Sequence, residues 1–220
     1  MEKKLSIFSS RLLKWYFDED KRTFPWRQTI DPYSIVIAEI MLQRTKADQV
    51  VPVFLSFMQR FPSPCELSKA GLSEIEKYFS KLGLLWRARK VKRLAETLCK
   101  DFNGQVPQER DKLKSIPGIG EYVADAILCF AFGKDTEIID SNVCRVLGRV
   151  FSLKSKGEAR RNPILRKVAH SLVPIGNCRE FNWALIDHAH EICTPQNPKC
   201  EICPLNRICD YYAARTKNCG

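Results

Sequence analysis

Leu113-Lys114-Ser115-Ile116-Pro117-Gly118-Ile119-Gly120-Glu121-Tyr122-Val123-Ala124 is the stretch that decides how this chain folds. Pro117 ends one helical segment, and Glu121 opens another whose apolar face carries Val123, Ile127 and Phe130. Between them, two glycines flank one apolar residue. Glycine tolerates the backbone angles of a tight turn, so the amides of Gly118, Ile119 and Gly120 can point outward just ahead of a helix N-terminus. That arrangement binds a phosphate, because unpaired N–H groups and the positive end of the helix dipole converge there. The competing reading is a glycine-rich connection between helices with no ligand.

Outward from this turn, apolar residues recur at spacings of three and four. The pattern predicts helices at Leu5 to Trp15, Ile35 to Leu42, Val50 to Phe61, Leu72 to Leu82, Ala88 to Phe102, Tyr122 to Phe132, Asn142 to Phe151, Pro163 to Leu172 and Phe181 to Glu191. Prolines and glycines at 25, 32, 62, 64, 83, 104, 133, 174 and 176 fall at their ends. Strand alternation is nearly absent, which predicts an all-α protein of nine or ten helices.

A hydrophobic fraction of 45% over 220 residues excludes a disordered chain. The formal charge is +11, from 36 Lys and Arg against 25 Asp and Glu, which favours a polyanionic partner. Arg87, Arg89, Lys90, Lys92 and Arg93 form a basic run upstream of the turn, readable as a polyanion contact or as a solvated helix face. Arg11 and Lys14 interrupt the N-terminal apolar stretch at helical spacing, so it reads as an amphipathic helix and not as a signal peptide. No run reaches membrane-spanning length. The expectation is a soluble cytoplasmic protein, nucleoid-associated in a prokaryote, with its thiols kept reduced.

The second informative stretch is Cys193, Cys200, Cys203 and Cys209, spaced C-x6-C-x2-C-x5-C. Thiolates crowded on short loops converge on one centre, and soft sulfur selects zinc or an iron–sulfur cluster. Zinc ribbons bring two short cysteine pairs together across an insert. Here a single C-x2-C is flanked by lone cysteines, which favours a [4Fe–4S] cluster. The other six cysteines, Cys65 and Cys99 among them, are scattered and read as small core residues where they lie in apolar runs.

Two carboxylates stand out. Glu39 lies in Ile35-Val36-Ile37-Ala38-Glu39-Ile40-Met41-Leu42, a helix apolar on nearly every side. A carboxylate there is costly unless it is paired or functional. It is either a structural partner or a general acid with a raised pKa. Asp140 follows Ile138-Ile139 and precedes a helix, a favourable N-cap position. Its chemical reading rests on lying about twenty residues past a phosphate-binding turn, where a carboxylate could face a sugar.

Turn, aspartate and cysteine loop, in this order, resemble the helix-hairpin-helix, Gly-Pro-Asp superfamily of DNA glycosylases, in its iron–sulfur branch. Phe24 to Arg27, Asp31 to Tyr33, Ala38 to Thr45, Lys81 to Ala88 and Phe181 to Asp187 are similar to family segments, so the resemblance covers nearly the whole chain. It implies two α-helical lobes: a six-helix lobe at 24–134 containing the hairpin, and a cluster lobe built from 1–23 and 135–220, with the iron–sulfur loop at 193–209. It implies a monomer acting on double-stranded DNA that carries a mismatched or damaged base. Asp140, Glu39 and Tyr122 become the expected catalytic residues. Gln43, Arg44, Leu85, Gly118, Ile119 and Gly120 become the expected DNA contacts, and the four clustered cysteines the metal ligands. Lyase relatives carry a lysine after the hairpin glutamate, and its amine attacks the sugar. Here the residue is Tyr122, which implies a monofunctional glycosylase that uses water. Tyrosine at that place implies thymine or uracil opposite guanine. Met41-Leu42-Gln43-Arg44-Thr45 lies between the thymine pattern and the adenine pattern. An adenine glycosylase acting opposite 8-oxoguanine or guanine is therefore the alternative, followed by an endonuclease III-like enzyme or a non-catalytic DNA-binding protein.

Overall fold

The computed structural model describes residues 2–18, 23–83, 85–153 and 162–217. Among these residues there are only helices, turns and loops. Twelve α-helices run in the order α1 (Glu2–Asp18), α2 (Pro32–Leu42), α3 (Ala47–Arg60), α4 (Pro64–Lys69), α5 (Leu72–Ser80), α6 (Leu85–Asp101), α7 (Arg110–Ser115), α8 (Glu121–Phe130), α9 (Ser141–Phe151), α10 (Pro163–Leu172), α11 (Cys178–Glu191) and α12 (Asp210–Lys217). Short 3-10 turns lie at Pro25–Arg27 and Asn206–Ile208. The number exceeds the expected nine or ten because α4, α7 and α12 were not resolved by periodicity. One or two turns give too few residues for an apolar repeat to emerge. Leu84, inside the segment Lys81 to Ala88, lies outside the described residues.

The chain divides into two compact units, Met1–Lys21 with Gly133–Gly220, and Arg22–Phe132. In the second unit, α2 is apolar all round and lies among α3, α6 and α8. Its start is over-determined: the Asp31 side chain accepts from the Ser34 amide, and Pro32 occupies the first helical position. The Tyr33 hydroxyl donates to the Phe61 carbonyl at 3.1 Å, which ties α2 to the end of α3. Phe24 stacks on Trp26 at 5.1 Å, and Trp26 meets Phe54 edge-on, so the Phe24 to Arg27 segment is a packing element.

α6 packs on α4 and α5, and a disulfide joins Cys65 of α4 to Cys99 of α6. This corrects the expectation that the thiols are kept reduced, which does not hold for this pair. They lie 34 residues apart in the chain, and only the tertiary fold brings their Cα atoms to 5.5 Å.

In the first unit, α1 supplies Phe8, Leu12 and Trp15 to a core shared with Val143 and Leu147 of α9 and with Phe181 and Leu185 of α11. The edge of Trp15 meets the His188 ring at 5.7 Å. The N-terminal segment is thus a core helix, with Arg11 reaching the Pro204 carbonyl.

Candidate functional site

Pro117 to Gly120 form a tight turn between α7 and α8, closed by the Ile119 amide donating to the Ile116 carbonyl at 3.1 Å. Gly118 sits at φ +95°, a conformation that L side chains rarely adopt, so glycine is required there by backbone geometry. The Ile119 side chain is buried and anchors the turn from inside, which leaves its backbone as the part able to meet a ligand. The N-cap of α8 is Gly120, which has no side chain to offer the first amides of the helix. The positive end of that helix is therefore available to an anion.

A charge network staples the two helices of the hairpin. Arg110 of α7 binds the buried Asp125 of α8 and also Glu121 at 2.6 Å, and Lys114 binds Glu121 as well. Hydrogen bonds from Lys114 and Arg110 hold the Glu121 carboxyl down at about 2. Tyr122 follows at the second position of α8, half-buried.

α2 packs against α8, so Glu39 and Tyr122 lie on neighbouring helices. Glu39 is 7% exposed. One turn further, Gln43 ends α2 and Arg44 adopts φ +62°, a strained left-handed conformation on an exposed loop. Arg87 holds this loop in place. It is 1% exposed, its Nη1 donates to the Ile40 carbonyl at 2.8 Å, and its Nη2 donates to the carbonyl of Gln43. It thereby closes the C-terminal end of α2, whose last carbonyls lack helical partners.

The basic run of α6 must therefore be divided. Arg87 is structural, Lys92 donates to the Ser68 carbonyl at 2.6 Å, and Arg89, Lys90 and Arg93 remain exposed. Arg87 was hidden in sequence because a buried arginine and a solvated one look alike in a charge run. Leu85, at the start of α6, is 54% exposed.

Asp140 is the N-cap of α9. Its Oδ1 accepts from the Val143 amide at 2.7 Å, and its Oδ2 accepts from Asn142 Nδ2 at 2.9 Å. Both carboxylate oxygens are fixed in direction. The strand of chain leading to it is held by Asn182 of α11, which is buried. Asn182 Oδ1 accepts from the Ile138 amide at 3.1 Å, and its Nδ2 donates to the Thr136 and Cys178 carbonyls. This supporting role was not read from the sequence, where Asn182 was only part of a similar segment.

Cys193, Cys200, Cys203 and Cys209 line one pocket together with Arg149 and His188. Among the described residues, no three His, Cys, Asp or Glu side chains are arranged to hold a single metal ion. Zinc with bonds of about 2.3 Å would draw four sulfurs around one point. Four thiols that line one pocket without converging on a single point suit a cluster, in which each sulfur would hold its own iron. Burial pushes the Cys203 thiol up to about 12 and moves Cys200 and Cys209 upward too, so these sulfurs become thiolates only against bound cationic metal. Arg149 Nη1 lies 3.4 Å from Cys193 Sγ, and His188 Nε2 lies 3.2 Å from Cys203 Sγ. Such N–H groups are suited to an anionic, thiolate-ligated group.

The HhH-GPD superfamily of base excision DNA repair proteins matches residues 37–170. The chain belongs to this superfamily. The iron–sulfur binding domain of endonuclease III matches residues 193–209, the span of the four cysteines, and the cofactor of this HhH-GPD protein is a [4Fe–4S] cluster. It is a DNA N-glycosylase of base excision repair. The chain is 39% identical over 218 residues to a thymine/uracil-DNA glycosylase of Pyrobaculum aerophilum, covering 96% of this chain and 94% of that protein. It is 38% identical over 211 residues to a thymine/uracil-DNA glycosylase of Methanothermobacter thermautotrophicus, covering 96% and 95%. A solved structure of a thermostable thymine-DNA glycosylase superposes with a TM-score of 0.91 at 38% identity, over 96% of this chain and 98% of that one. No helix among the described residues is long and apolar enough to cross a membrane.

Proposed function

We propose that this HhH-GPD glycosylase hydrolytically removes thymine or uracil mispaired with guanine and leaves the strand uncut. One observation carries the reading: Tyr122 stands at the second position of α8, directly after the phosphate-binding turn, where a phenol offers no amine for a sugar adduct. The full-length similarity to relatives named thymine/uracil-DNA glycosylases supports the same target.

The amides of Gly118, Ile119 and Gly120 hold a backbone phosphate, fixing the register without reading sequence. Gln43 and Leu85 fill the gap in the stack, and Arg44 contacts the adjoining backbone. Eversion costs a few kcal/mol and is easiest for a mispaired base, so mismatches are favoured before any pocket contact forms. Tyr122 stacks on the pyrimidine, and Glu39 hydrogen-bonds its edge. As the C1′–N1 bond breaks, positive charge grows on the sugar. Asp140, its oxygens aimed by Val143 and Asn142, stabilises that charge and orients the water.

The hairpin belongs to the lobe of residues 24–134 and Asp140 to the lobe of 1–23 and 135–220. Cys193, Cys200, Cys203 and Cys209 would hold the cluster, which would supply a covalent tie for the C-terminal loop. The protein acts as a cytoplasmic or nucleoid-associated monomer on duplex DNA.

The test is a panel of duplexes bearing G·T, G·U, A·8-oxoG or thymine glycol, each treated with or without alkali. Product from G·T and G·U only after alkali is expected. Cleavage without alkali contradicts the monofunctional reading. Preference for A·8-oxoG transfers the protein to the adenine class, and no product from any duplex makes it a binder.

A further inference from the structure

An exposed tryptophan is costly in water, and Trp86 is 52% exposed next to the equally exposed Leu85 at the first turn of α6. The other three tryptophans are buried or half-buried. Two cations attend the Trp86 ring: the Arg87 guanidinium at 5.1 Å and the Lys90 ammonium at 4.7 Å from its centroid. They differ in mobility. Arg87 is pinned by the carbonyls of α2, so it braces the ring. Lys90 is exposed and can leave.

Lys90 also borders the hairpin, because a Cβ placed on Gly118 would lie 3.7 Å from the Lys90 Cβ. Trp86, Lys90 and the phosphate-binding turn thus form one continuous strip on the second unit. Positive charge beside an exposed aromatic face matches the requirements of opened nucleic acid, which presents phosphates and the π-faces of unstacked bases.

We infer that Trp86 is a DNA-stacking residue, distinct from the residues that fill the gap. When DNA docks, Lys90 exchanges the indole for the phosphate held by the hairpin, and a nucleobase exposed by the opened duplex takes its place on the ring. The inference rests on the hairpin's reading as a DNA contact and is independent of which base is excised.

The experiment is a fluorescence titration of the cluster-loaded full chain with a duplex containing a tetrahydrofuran abasic analogue, which opens the stack and undergoes no excision. Wild type should bind with quenching of tryptophan emission. Trp86→Phe should bind within about threefold of wild type but lose most of the quenching. Trp86→Ala should weaken binding about tenfold or more, the size of one lost base stack. Lys90→Gln should lower the slope of log affinity against log salt by about one. Because Trp86 is exposed, unchanged circular dichroism in these variants is expected and excludes misfolding as the cause. Full quenching retained in Trp86→Phe, or Trp86→Ala binding like wild type, overturns the inference. A wild-type protein that binds the analogue normally yet excises a base other than thymine or uracil overturns only the proposed substrate.

Discussion

Arg145 donates through Nε to the carbonyl of Cys193 at 2.9 Å, tying the helix that Asp140 opens to the first cysteine of the cluster loop. The same guanidinium reaches the Ala189 carbonyl at 2.8 Å and Asn142 Oδ1 at 2.9 Å. Three acceptors therefore depend on one planar donor fork, which lysine cannot reproduce. Arg145→Lys should destabilise the protein by about 1–3 kcal/mol, the usual penalty for leaving partly buried acceptors unpaired. Cluster loss on exposure to a chelator should be faster in this variant, followed by visible absorbance.

Arg87 gives a second prediction. Its head group holds the carbonyls at the end of α2, so Arg87→Met keeps the apolar stem and removes the donors. The expected cost is about 2–4 kcal/mol in urea unfolding, since the Ile40 and Gln43 carbonyls lose a charged partner. The Gln43–Arg44 loop should loosen with it, and affinity for mismatched duplex should fall more than affinity for undamaged duplex.

Acid should weaken the hairpin through Glu121. Its folded carboxyl titrates near 2 against an ordinary 4.5 because Lys114 and Arg110 bind the ionised form. A depressed pKa contributes stability that is present above about 4.5 and lost as pH falls toward 2. The side chain is 53% exposed, so solvent screening keeps the effect small. Urea midpoints for wild type and Glu121→Gln should differ at pH 7 and converge near pH 2.

The Cys65–Cys99 bond closes a loop of sequence separation 34, for which chain-entropy reasoning gives about 4 kcal/mol. Cys65→Ala with Cys99→Ala, or reductant on the wild type, should lower the melting temperature by several degrees. Base excision at moderate temperature should be unchanged, because neither cysteine belongs to the proposed site.

The sequence revealed the parts of this protein whose chemistry is local. Pro117-Gly118-Ile119-Gly120 specifies a turn by backbone preference alone, Asp140 specifies a cap, and four spaced cysteines specify a cluster loop. Long-range partners were invisible. Arg87 binds carbonyls more than forty residues upstream, and Asn182 holds backbone at 136 and 138. Cys65 and Cys99 meet only once α4 lies on α6. In each case the residue type admits many uses, and packing selects one. The short helices escaped for the opposite reason, since they carry too little periodic pattern of their own.

The most direct measurement is single-turnover release of the base from a G·T duplex by wild type and by Asp140→Asn, each carrying a full complement of iron. Asparagine is as good an N-cap as aspartate, so α9 should be retained and melting should shift by less than about 1 kcal/mol. The account predicts that the rate falls by roughly three orders of magnitude or more, as expected when a group stabilising transition-state charge is removed, while duplex affinity stays within a few-fold. Release by Asp140→Asn at the wild-type rate would contradict it.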